Sequence, residues 1–79
     1  MTNISESIVR AVLDIYEDER KDNDLIFTVN QDQITVKQRI KEYVQKEYPD
    51  IKEECIIDEM NHTVFVEEIS SGMSLIRIL

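Results

Sequence analysis

The sequence predicts an α+β domain: a two-layer α/β sandwich in the order α-β-α-β-β-β, with two helices packed on one face of a mostly antiparallel sheet. Three observations predict it. Two long stretches carry apolar residues at helical spacing, the other apolar residues fall into short β-branched runs, and 79 residues suffice for a single small acidic domain over 1–79.

The first helix is expected over about Ile4 to Glu19. Ile4, Ile8, Val12, Ile15 and Tyr16 recur on one face with Leu13 flanking, and Asn3 followed by Glu6 fits a capping box. The run Glu17, Asp18, Glu19, Arg20, Lys21, Asp22, Asn23, Asp24 has no apolar residue and reads as a solvated loop. Acids near a helix C-terminus oppose the macrodipole by roughly a few tenths of a kcal/mol each, so local helix stability does not explain Glu17, Asp18 and Glu19. Leu25 to Val29 is a compact run suited to a first strand. Asn30, Gln31 and Asp32 form a tight polar turn into the most strongly patterned stretch, Ile34 to Tyr48. There Val36, Ile40, Tyr43, Val44 and Tyr48 share one helical face, Thr35 and Gln38 fit a capping box, and Pro49 stops the helix.

Beyond Pro49, the segment from about Glu54 to Glu59, with Cys55, Ile56 and Ile57 among charges, is expected as a second strand. Asn61 and His62 would turn it into a hairpin with the third strand, Thr63 to Ile69. Ser70, Ser71 and Gly72, the last being the only glycine, mark another turn before a closing strand, Met73 to Leu79. That strand carries apolar side chains on both faces, a pattern of strands covered on two sides, and is placed near the sheet centre beside strand one.

Charge narrows the function. Nine Lys and Arg face 17 Asp and Glu, a net charge of −8. Such a field repels nucleic acid and favours basic partners. One Cys and one His cannot build a zinc site, which needs three or four protein ligands. Cys55 reads as a buried, inert thiol in a strand, and His62 as a turn residue with no nearby nucleophile to activate. A phosphate-cradling loop cannot be drawn with one glycine. Adjacent acids in the expected strands, Asp58 with Glu59 and Glu67 with Glu68, point to opposite faces and make no general acid/base pair. No catalytic residue, metal or cofactor is therefore expected, and the chain does not read as an enzyme. The N-terminus lacks a basic segment followed by an apolar run, and no stretch approaches the ~20 apolar residues that span a bilayer, so a cytoplasmic protein without membrane contact is expected. Oligomeric state leaves no signal in the sequence.

The opening Met1-Thr2-Asn3-Ile4-Ser5 and the stretch Val64 to Leu79, with its Ser70–Gly72 turn and closing Ile76-Arg77-Ile78-Leu79, resemble the two ends of the phage uracil-DNA glycosylase inhibitor family. Acidity and chain length are similar too. The resemblance implies an inhibitor that binds a DNA-handling enzyme through an acidic edge strand of Glu-Ser-Ile type. The sequence departs from that pattern where it matters most. Leu25 to Val29 holds no acid, and Glu6, Ser7 and Ile8 lie in helix one, so the binding strand does not carry over.

The favoured functional expectation is a small acidic inhibitor of phage or mobile-element type that binds a basic nucleic-acid-handling protein by DNA mimicry. Glu17, Asp18, Glu19, Asp22, Asp24 and Asp32 are its candidate binding residues, pairing with Arg and Lys in place of phosphates. The competing expectation is a structural or regulatory interaction module, monomeric or dimeric, that uses an apolar sheet face.

Overall fold

The computed structural model describes residues 3–20 and 25–79. Helix α1 spans Ile4–Tyr16 and is followed by a 3-10 turn at Glu17–Glu19. Strand β1 is Ile26–Val29, helix α2 Gln33–Glu47, helix α3 Glu53–Thr63, strand β2 Val64–Ser70 and strand β3 Met73–Ile78.

The α+β class stands, with one element exchanged. The segment expected as a second strand, Glu54 to Glu59, lies inside α3, so the order becomes α-β-α-α-β-β. Burial explains the exchange. Ile56, Met60 and Thr63 are buried at the spacing of one helical face, whereas neighbouring Ile57 is 43% exposed. Glu53 and Glu54 fill the first turn, where negative charge suits the positive end of the helix dipole. The hairpin expected at Asn61 and His62 is absent because both residues are helical. His62 Nδ1 lies 2.8 Å from the carbonyl of Asp58, one turn back. At Val64 the chain passes directly from helix to extended backbone.

Both helix starts on the N-terminal side of the chain are capped by side chains. Asn3 accepts from the Glu6 amide at 3.1 Å, as expected for α1. For α2 the cap is Asp32, which accepts from the Thr35 amide at 2.6 Å, three residues before the expected capping threonine. The buried stripe of α2 is Val36, Ile40 and Val44, with Tyr43 and Tyr48 packed at its margin.

The sheet runs β1-β3-β2, and both pairings are antiparallel. The closing strand therefore sits at the centre beside strand one, as its apolar character predicts. Phe27 pairs with Ile76 and Val29 with Ser74 on one side; Val64 pairs with Ile78 and Val66 with Ile76 on the other. All seven of these side chains are buried and form the sheet's contribution to the core. Alpha helices supply the rest through Ile8, Ala11, Val12, Tyr16, Val36, Ile40, Val44, Ile56 and Met60. The β2–β3 turn uses Gly72 at φ +75°, a conformation glycine adopts without the steric cost of a Cβ.

Polar groups in this core are paired. Ser7 Oγ donates to Glu47 at 3.2 Å, and Ser74 Oγ donates to the Gln31 carbonyl at 2.8 Å. Glu47 also receives the Arg10 guanidinium at 2.8 Å, which raises the Arg10 pKa above its ordinary value through that bond and its charge. The Glu47 carboxylate thereby ties α1 to the end of α2.

Candidate protein-binding face

Successive residues of a strand point to opposite faces, and the described helices cover only one of them. While Phe27, Val29, Val64, Val66, Ser74, Ile76 and Ile78 turn into the helical layer, Ile26, Thr28, Phe65, Glu67, Ile69, Met73, Leu75 and Arg77 turn away from it. The pairing arranges the outward residues in rows. Ile26 and Phe65 flank Arg77, and Thr28 and Glu67 flank Leu75. Phe65 is 42% exposed and Ile69 48%. The Arg77 guanidinium carbon stands 5.9 Å from the centre of the Phe65 ring, within reach of a cation–π contact. The result is a mainly apolar surface with one cation at its middle.

Acids border this surface. Glu17, Asp18 and Glu19 are all exposed in the 3-10 turn, and Arg20, directly after it, bridges antiparallel to Phe27 of β1. The turn therefore lies along the β1 edge of the sheet. At the β2 edge, Glu67 and Glu68 are exposed. Glu68 accepts from the Gln33 amide at 3.1 Å, and the Gln33 side chain donates to the Val66 carbonyl at 3.3 Å. The first turn of α2 thus covers part of the edge of β2.

Of the six candidate acids, the structure brings Glu17, Asp18 and Glu19 together in one turn. Asp22 and Asp24 lie outside the described residues. Asp32 belongs to a different group: it caps α2 beside Glu68, and the bond from Thr35 holds its carboxyl below the ordinary value of 3.8. Asp58 and Glu59 are on α3 rather than in a strand paired with that of Glu67 and Glu68. Cys55 is exposed on α3, not buried in a strand, because the strand that would have buried it is a helix. Among the described residues, no group of three or more His, Cys, Asp and Glu side chains could hold a metal ion, and no helix is long and apolar enough to cross a membrane.

Phe65 and Ile69 are absent from the sequence-derived candidates. In the closing strand, Ile76 and Ile78 against Leu75 put apolar residues on both faces, a pattern expected of two-sided cover, whereas the described helices cover the sheet on one side; the same two-faced pattern in β2, Val64 and Val66 against Phe65, marks the exposed aromatic residue. Comparison with protein-family models, curated proteins and solved structures finds no match to this chain.

Proposed function

We propose that the protein is a small acidic binding module that docks a basic, nucleic-acid-handling protein on the uncovered face of its sheet. The observation that carries this reading is the exposure of Phe65 and Ile69 on a sheet face that no described element covers, bordered by Glu17–Glu19 along one edge and Glu67 along the other. An apolar centre with a charged rim is the usual anatomy of a specific interface. Aromatic and aliphatic side chains supply affinity there, and rim charges supply steering and selectivity.

Charge sets the partner's sign. A second copy on this face would bring acidic rim against acidic rim, while a basic surface would meet it with opposite charge. Basic surfaces in cells belong largely to proteins that handle nucleic acid, and the likeness of the chain termini to the glycosylase inhibitor family supports a partner of that class. In this reading Glu17, Asp18 and Glu19 approach the Arg and Lys side chains that otherwise hold phosphates.

The test compares wild type with Phe65→Glu and with Glu17→Gln/Asp18→Asn/Glu19→Gln as baits. A basic protein retained by wild type is purified and its affinity measured for all three. Phe65→Glu is expected to weaken binding at least tenfold, and the triple change to weaken it and flatten its salt dependence. Titrating the module into a complex of that partner with DNA then separates inhibition from adaptation. Displaced DNA supports mimicry; a ternary complex makes the module an adaptor. Affinity indifferent to Phe65→Glu overturns the sheet face as the interface.

A further inference from the structure

The helical layer carries a second apolar surface. Between α2 and α3 runs an open groove of about 260 Å³. Helix α2 lines it with Ile34, Lys37, Gln38 and Lys41, and α3 with Glu53, Ile57, Met60 and Asn61, each set spaced along a single helical face. Met60, nearly buried, forms the floor, whereas Ile34 is 82% exposed and Ile57 43%. No helix-forming tendency requires isoleucine at so open a position. Lys41 is held by Glu53 at 2.5 Å, and Lys37 has no ion-pair partner among the described residues.

The groove is suited to an aliphatic side chain accompanied by carboxylates, seated between Ile34 and Ile57 with charge directed to Lys37. That combination is displayed by α3 of this same chain. Ile57 projects from α3 with Glu54 and Asp58 exposed around it, on a helix that contains no Lys or Arg. We infer that the groove is a self-complementary interface and that its occupant is α3 of a second copy. A twofold axis there lays α3 of each copy on α2 of the other. Ile34 and Ile57 then cover one another twice, and Lys37 of each copy meets the acids of its partner.

The net charge of −8 opposes association. That repulsion is screened beyond about 8 Å at physiological ionic strength, and the charges brought close are opposite in sign. Two helix turns measure about 10 Å along the axis, too short a contact to bury the ~800 Å² per partner of a standard interface. A contact of that size makes the dimer weak and concentration-dependent. It leaves the sheet face of each copy free, so the inference stands or falls independently of the proposed function.

Sedimentation equilibrium of the full chain from about 10 µM to about 1 mM tests it, a range that brackets a weak interface of this size. Wild type is expected to dimerise across that range. Ile34→Glu, at a position open enough to leave the fold intact by thermal melting, should weaken the dimer at least tenfold. Lys37→Glu should weaken it too. Mixing Lys37→Glu with Glu54→Lys/Asp58→Lys should restore association above that of either variant alone, because each copy then meets its opposite charge in both halves of the interface. Phe65→Glu should have no effect. A chain monomeric throughout the range, a dimer indifferent to Ile34→Glu and Lys37→Glu, or a mixture no tighter than its components would each overturn the inference.

Discussion

At Asp32 a single carboxylate decides where α2 begins. Its oxygen accepts the Thr35 amide at 2.6 Å, satisfying one of the donors that a helix N-terminus leaves unpaired. This bond to the ionised form is also what lowers the Asp32 pKa. A carboxyl more acidic in the folded than in the unfolded chain contributes stability that is complete above its unfolded pKa, near 3.8. That contribution is lost as pH falls through the lower folded value. Asp32→Ala should therefore lower the melting temperature at pH 7 and shrink the difference from wild type as pH drops below about 4. Asp32→Asn, which can still accept the bond, should cost less, and melting curves between pH 3 and 7 check both. The capping pattern was legible as Asp32 followed three residues later by Thr35. It competes with Thr35 followed by Gln38, which fits a capping box one turn later; Ile34, ahead of that box, is 82% exposed and lines the groove beside α3.

Helices α2 and α3 differ in how openly the chain encodes them. In α2 the stripe Val36, Ile40 and Val44 recurs through a 15-residue element, flanked by a cap and by Pro49, and no strand reading competes with it. Truncating that stripe tests its place in the core. Ile40→Ala should cost about 2–5 kcal/mol and Val44→Ala somewhat less, because both side chains are fully buried and each truncation leaves a cavity. Denaturant unfolding measures this, and neutral substitutions would show that the helix packs by another face. In α3 the corresponding stripe is Ile56, Met60 and Thr63, interrupted by the adjacent pair Ile56 and Ile57, whose β-branched character favours a strand locally. Tertiary packing overrides that preference: Ile56 is buried against the core while Ile57 stays open to the groove. With three helices on one side and three strands beneath them, no described element covers Phe65 and Ile69, and that exposure follows from the layer count rather than from either residue.

Across the whole molecule, attraction and repulsion between charges compete, and their balance is predictable from placement. Acids outnumber bases 17 to 9, whereas the cations Lys37, Arg39, Lys41 and Lys46 gather on α2, alongside Glu42 and Glu47. The ion pairs Arg10–Glu47 and Lys41–Glu53 span 2.8 and 2.5 Å. Each has one partner about half exposed, so solvent screens both pairs and each adds little to stability. Repulsion among the excess acids acts over the whole surface and penalises the compact state more than the extended one. Salt screens both, but the short contacts persist at ionic strengths that already extinguish interactions beyond a Debye length of about 8–10 Å. Net repulsion should therefore be removed first. The melting temperature at pH 7 is expected to rise between about 20 and 500 mM sodium chloride, most steeply at the low end where the screening length changes fastest. Neutralising Glu17, Asp18 and Glu19 together should raise it at low salt and flatten the response. A melting temperature that falls with salt would mean that attraction between α2 and the acids around it outweighs the surplus negative charge.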